Sequence, residues 1–202
     1  MEKPIIVGLT GNSGSGKTSV AAILEKRGVP VIDCDKIAKE IMQKGSSCYY
    51  EVINFFGGGI LGRTKDIDRA ALGDIVFNDK DKLSKLNYIT HRYIISEICL
   101  KLEEILSRQG PYRYIVIDAP VLIGTGLQGL VDRVWVVYTR HDTLVKRLLA
   151  RDGRAHQQIL SRLKSQPDIE ALKPYADVLI ENSGGLEELE RKINDLLDIP
   201  IE

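Results

Sequence analysis

The chain has 202 residues, enough for a real core, because a domain of this size hides roughly 70% of the surface that its unfolded chain exposes. Lys plus Arg and Asp plus Glu number 28 each, so no net field gathers polyanions, and a general nucleic-acid or membrane-surface role has no electrostatic support. Cys34, Cys48 and Cys99 are odd in number and widely spaced, which argues against a disulfide framework or a metal cluster and reads them as buried small apolar residues in a reducing compartment.

In chain order, Met1 to Pro4 leads into only a short apolar run, too brief for a signal-peptide core and far below the ~20 residues that span a bilayer. The expected location is the cytoplasm. Ile5 to Leu9 is apolar throughout and ends in glycine and small polar residues, the pattern of a strand buried on both faces of a parallel sheet. The next eight residues, Gly11-Asn12-Ser13-Gly14-Ser15-Gly16-Lys17-Thr18, fit G-x-x-x-x-G-K-[ST] between a strand and a helix. Glycines let successive backbone N–H groups turn inward around oxygen atoms, and the helix N-terminus adds partial positive charge. Together with Ser19, these residues are the expected ATP cradle. Lys17 reaches the β- and γ-phosphates, and the Thr18 hydroxyl ligates the magnesium ion that bridges them. A dinucleotide loop is the nearest rival, because Asp33 lies 22 residues after Gly11, but the glycine order is not G-x-G-x-x-G.

The helix from Ser19 to Arg27 stops at Gly28, and Val29 to Ile32 reads as a second strand. Asp33 and Asp35 follow it, and Asp118 follows a third strand, Tyr114 to Ile117. Parallel-sheet ligands bind outside the carboxyl ends of strands, so all three are candidates to orient an acceptor proton, and Asp33 or Asp118 to hold the metal through water. Helix capping is the competing reading for Asp33 and Asp35. Residues 38–110 carry helical spacing without a convincing strand and read as an inserted helical domain. Val134 to Tyr138 and Val178 to Ile180 supply strands four and five, with a final amphipathic helix marked by Leu186, Leu189, Ile193 and Leu197. The fold expectation is therefore α/β, a doubly wound parallel five-stranded sheet. Its core is 1–37, 111–140 and 175–202, with the insertion at 38–110 and a helical lid at 141–174. The lid is dense in cations, with Arg147 and Arg151 at i and i+4 and Arg154 and Arg162 beyond. A solvated charged face is the alternative there. Neither N-K-x-D of a guanine switch nor L-S-G-G-Q of a transporter ATPase stands in a suitable place.

Six motifs in order then resemble the dephospho-CoA kinase family. They are G-L-T-G-x-x-G-S-G-K-T at Gly8 to Thr18, D-x-D-x-I-A at Asp33 to Ala38 and I-D-R-x-x-L-x-x-x-V-F at Ile67 to Phe77. L-x-x-I-T-H at Leu86 to His91, L-x-x-R-x-x-x-R-D at Leu144 to Asp152 and A-D-V-x-I-x-N-x-G at Ala176 to Gly184 complete the series. The resemblance implies phosphorylation of the ribose 3′-hydroxyl of dephospho-CoA by ATP with Mg²⁺, the last step of coenzyme A synthesis. It implies Asp35 as the base, Arg147 as a lid arginine at the phosphates, Asn182 near the adenine, and Asp33, Asp35, Lys39, Arg69 and His91 toward the acceptor. The chain departs from the family pattern at Asn12-Ser13 inside the loop, at Lys39 and His156 in place of arginine, and at Arg92 in place of proline. Gly124 stands where the P-L-L-x-E string has its acid. A kinase for another small hydroxyl acceptor, such as a nucleoside or sugar, and a non-catalytic nucleotide binder are the alternatives.

Overall fold

The computed structural model describes residues 3–108, 110–152, 163 and 169–198; Arg154, His156 and Arg162 lie outside them. The chain divides into two compact units, one made of 1–32 and 110–202, the other of 33–109.

The first unit is built on a five-stranded sheet with strands β1 (Ile5–Gly11), β2 (Val31–Asp33), β3 (Tyr114–Asp118), β4 (Arg133–Tyr138) and β5 (Val178–Glu181) in the order β2-β3-β1-β4-β5. β1 pairs parallel with β3 and with β4, and β4 pairs parallel with β5. The central strands are apolar over most of their length because both of their faces are covered. Val7 and Leu9 enter one cluster with Leu24, Val116, Trp135, Val137 and Ile193, joined by helix α1 (Lys17–Lys26) and by the C-terminal helix Leu186–Asp198. Between them Gly8 faces the other side, where a Cβ would fall 2.4 Å from Leu122 Cδ2, so the close approach of this loop requires glycine. The sheet order places the first strand at the centre, and the chain leaves it toward β2 on one side and returns to β4 on the other. Such a reversal opens a crevice at the carboxyl ends of the central strands.

Two aspartates fix the amino ends of the sheet. Asp132 accepts the Ile6 N–H at 2.8 Å, and Asp177 accepts the Val134 N–H at 2.7 Å. This register brings Gly11 opposite Val137 and Leu9 opposite Asp118. Helix α6 (His141–Asp152) follows β4 and carries both Arg147 and Arg151.

The second unit is helical, as the spacing predicts, with α2 (Cys34–Glu40), α3 (Ser47–Phe56), α4 (Arg69–Phe77) and α5 (Lys80–Ser107). Its only pairing of extended backbone among the described residues is a bridge between Leu61 and Ile67. Asp33, Ser46, Asp68 and Asp79 each cap the helix that follows with a side-chain oxygen on a backbone N–H. Helices α2, α3 and α4 pack on α5, and Cys48, Val52, Leu72, Val76 and Ile89 form a separate core. Arg92 lies inside α5, which runs over 28 residues and contains no proline. Proline there removes a backbone hydrogen bond and kinks the helix, whereas Arg92 pairs with Glu51 at 2.5 Å and lies over the Tyr88 ring. Cys34 and Cys48 are buried, but Cys99 is only half-buried. Burial, with Glu51 adding to it, pushes the Cys48 thiol up to about 11, so it stays protonated and unreactive.

Candidate active site

The segment from Gly11 to Thr18 closes into a loop because three glycines take backbone angles that other residues resist, with φ of 152°, 86° and 90° at Gly11, Gly14 and Gly16. A turn from the Ser15 N–H to the Asn12 carbonyl, 3.0 Å, draws the loop tight. Gly16 caps α1 in the left-handed conformation, and its carbonyl accepts the Ser19 and Val20 N–H groups. A Cβ on Gly16 would lie 1.9 Å from Asn182 Nδ2, and one on Gly11 would lie 2.3 Å from the Val137 carbonyl oxygen. Neither position accepts a side chain. The loop also rests on α6, since the Gly14 Cα faces Leu144 and Leu148.

Among the described residues, the buried polar or charged side chains are Thr10, Ser15, Asp118 and Asn182. All four lie in or against this loop. The Thr10 hydroxyl donates to the Pro120 carbonyl at 3.2 Å, fastening the end of β1 to the chain after β3. The Asn182 amide donates to the Ser15 carbonyl at 2.9 Å. Thr139, just past β4, has its hydroxyl 3.1 Å from the same carbonyl and 2.7 Å from the Asn182 carbonyl. It has one proton for these two acceptors, and the shorter contact is to Asn182. Arg147 completes the brace, donating to the Asn182 carbonyl at 2.8 Å, the Gly184 carbonyl at 3.2 Å and the Thr139 hydroxyl at 3.3 Å. The phosphate loop and the loop after β5 are thus tied through side chains from two strand ends, Thr139 and Asn182, and from Arg147 of α6.

Thr139 was not legible as a site residue, because a lone threonine after a strand has no motif. Asn182 was legible only through the resemblance, whereas Arg147 was visible also from its i, i+4 spacing with Arg151. Removing the Asn182 amide leaves the Ser15 carbonyl without its nearer side-chain donor. Asn182→Ala is therefore expected to weaken ATP binding roughly tenfold, the equivalent of one net hydrogen bond to a buried group. Thr139→Val is expected to act in the same direction by a few-fold, and Thr139→Ser to restore it. Calorimetric titration of ATP into each variant checks both.

Lys17, the first residue of α1, donates to Asp118 at the end of β3, and the two side chains are only 13% and 11% exposed. Ser15 Oγ is buried with no hydrogen-bond partner. A hydroxyl that folding leaves unsatisfied beside inward-turned N–H groups fits an oxygen-rich ligand in the cradle. Thr18 is exposed at the loop's end. No group of three or more His, Cys, Asp or Glu that could hold a metal occurs among the described residues. One hydroxyl and one carboxylate still suit Mg²⁺, which keeps several waters and takes further oxygens from nucleotide phosphates.

The second unit holds Asp33, Asp35, Lys39, Arg69 and His91. Asp33 Oδ1 accepts the Lys36 N–H at 2.9 Å as the N-cap of α2, so the capping reading holds for this residue. Asp35 and Lys39 are exposed in the first and last turns of α2. Arg69 is exposed as the first residue of α4, and His91 is half-buried within α5. Gly124, in place of the family's acid, has φ 75° and donates its N–H to Gln128 Oε1 at 3.3 Å. A glutamate there would be strained, which accounts for the glycine.

The dephospho-CoA kinase family model matches residues 5–188. A dephospho-CoA kinase of Carboxydothermus hydrogenoformans is 41% identical over 95% of this chain and 92% of its own length. The crystal structure of TT1252 from Thermus thermophilus superimposes with a TM-score of 0.80 at 32% identity, covering 97% of each chain. A dephospho-CoA kinase from Campylobacter jejuni gives 0.70 at 26% identity over 95% of this chain and 94% of its own. With a braced phosphate loop at the switch point of its sheet and a match along almost its whole length, this chain belongs to the dephospho-CoA kinase family.

Proposed function

We propose that this protein transfers the γ-phosphoryl group of ATP to the ribose 3′-hydroxyl of dephospho-CoA, giving coenzyme A and ADP. The observation that carries the reading is the loop from Gly11 to Thr18, braced by Asn182 and Thr139 and centred on Lys17, in a chain that matches the family from residue 5 to residue 188. The backbone N–H groups of the loop and Lys17 bind the β- and γ-phosphates. Thr18 would hold Mg²⁺ and Asp118 would act on it through water, and the ion would supply positive charge against the phosphate oxygens. Asp35 accepts the proton of the 3′-hydroxyl as its oxygen bonds to the γ-phosphorus and the bond to the β-phosphate oxygen breaks. Lys39, Arg69 and His91 bind the acceptor, with Asp33 at the start of the same segment. The residue range 38–110 serves as the acceptor-binding insertion and 141–174 as the lid. The reaction is cytoplasmic, in keeping with an odd number of widely spaced cysteines; no described helix is long and apolar enough to cross a membrane.

Arg147 has two tasks in this scheme. As a lid cation it meets charge on the transferring group, so Arg147→Ala is expected to lower kcat more than it raises the acceptor KM. Because its guanidinium also holds the Asn182 and Gly184 carbonyls, the same change is expected to raise the KM for ATP several-fold. Steady-state kinetics with each substrate varied separates the two. The function itself is tested by incubating the purified protein with ATP, Mg²⁺ and dephospho-CoA and identifying the products by mass and phosphorus NMR. The expected outcome is one added phosphoryl group at the 3′ position with ADP in equal amount; ADP and free phosphate with unchanged acceptor would overturn it.

A further inference from the structure

Among the described residues Asp118 is the one charged side chain in the buried class. It ends β3 beside Leu9 of β1, at the base of the phosphate loop, and its carboxylate accepts from Lys17. In surroundings that water barely reaches, a charge interacts with its neighbours several times more strongly than in bulk solvent. Lys17 therefore spends the resting state paired with Asp118, not as a free cation awaiting phosphate.

We propose that this pairing makes Asp118 a specificity-determining residue that excludes nucleotide arriving without a divalent cation. The inference rests on the nucleotide-binding reading above. A metal-free triphosphate must share Lys17 with Asp118 and bring its own negative charge next to a buried carboxylate, which opposes entry. A triphosphate carrying a divalent cation meets no such opposition. The metal's positive charge offsets the second anion, and Asp118 exchanges part of its interaction with Lys17 for one with the metal's water shell. Asp118 thus sets the ratio of affinities for loaded and free nucleotide, a quantity distinct from its part in turnover. A purely structural partner of Lys17 has the opposite signature, since its removal loosens the loop and weakens both forms alike.

The experiment is calorimetric titration of β,γ-imido-ATP into the full chain, once with excess MgCl₂ and once with EDTA, for wild type, Asp118→Asn and Asp118→Ser. Wild type is expected to bind the loaded form at least ~10-fold more tightly, on the strength of charge interactions in a poorly solvated site. In a folded charge-removing variant, affinity for the metal-free form is expected to rise about tenfold while affinity for the loaded form falls. The ratio then collapses toward unity. An unchanged or weaker metal-free affinity in such a variant would overturn the proposal. So would a wild-type ratio below about threefold, which needs no variant to fold. A wild type that binds neither form would instead remove the nucleotide-binding reading on which the inference stands, and the inference with it.

Discussion

Lys17→Ala is expected to abolish phosphoryl transfer. Lys17 begins α1 directly after the loop, so in the proposed scheme it is the side-chain cation that the cradle offers to the phosphates. Catalysis of phosphoryl transfer is almost entirely positioning and charge stabilisation, and a lost cation at the reacting group is not replaced by water. The ion pair adds a second consequence. Breaking a buried pair by removing one partner leaves the other charge poorly solvated, so the variant is also expected to lose up to about 3 kcal/mol of stability. The double variant Lys17→Ala/Asp118→Asn should recover much of that stability without recovering activity. Thermal melting and single-turnover transfer assays, run on both variants, separate the two effects. Near-normal kinetics in Lys17→Ala would remove the phosphate-loop mechanism.

Asp35→Asn is expected to lower kcat by ~10²–10⁴-fold, the usual contribution of a positioned base, while leaving ATP binding nearly unchanged. Composition alone makes Asp33, Asp35 and Asp118 equal candidates. The structure commits two of them elsewhere, since Asp33 caps α2 and Asp118 pairs with Lys17. Asp35 is exposed in the first turn of α2 and carries no such commitment among the described residues. Asn caps a helix as well as Asp, so Asp33→Asn is expected to leave stability intact and to serve as the control. If Asp33→Asn or Asp118→Asn collapses with ATP binding retained while Asp35→Asn stays within a few-fold of wild type, the base lies elsewhere. If Asp35→Asn loses ATP binding in step with activity, its role is positioning of metal or nucleotide.

The sheet was legible because buried parallel strands are short apolar runs, and all five were visible as such. Their ends shifted by a residue or two: β1 extends through Gly11, and the second strand is Val31–Asp33 where Val29 to Ile32 was expected. Pro30 gives its carbonyl to the Val116 N–H, so the pairing begins before the regular strand does. The loop was legible because its demands fall on residues adjacent in sequence. The brace was not. Thr139 and Asn182 lie 124 and 167 residues from Ser15 and meet it only through sheet register, which no local pattern encodes, and Arg147 joins them from α6. The pairing of Lys17 with Asp118 was hidden for the same reason, at a separation of 101 residues.

The central claim concerns the acceptor, and a comparison of kcat/KM across acceptors tests it most directly. Purified protein is supplied with saturating ATP and Mg²⁺ and, in separate reactions, with dephospho-CoA, adenosine, AMP and a set of small sugars. A site built to hydrogen-bond one acceptor rejects analogues that leave its polar groups unpaired, so dephospho-CoA should exceed every other acceptor by at least ~10²-fold. A nucleoside or sugar turned over as well as dephospho-CoA, or ATP consumption that no acceptor accelerates, would contradict the account.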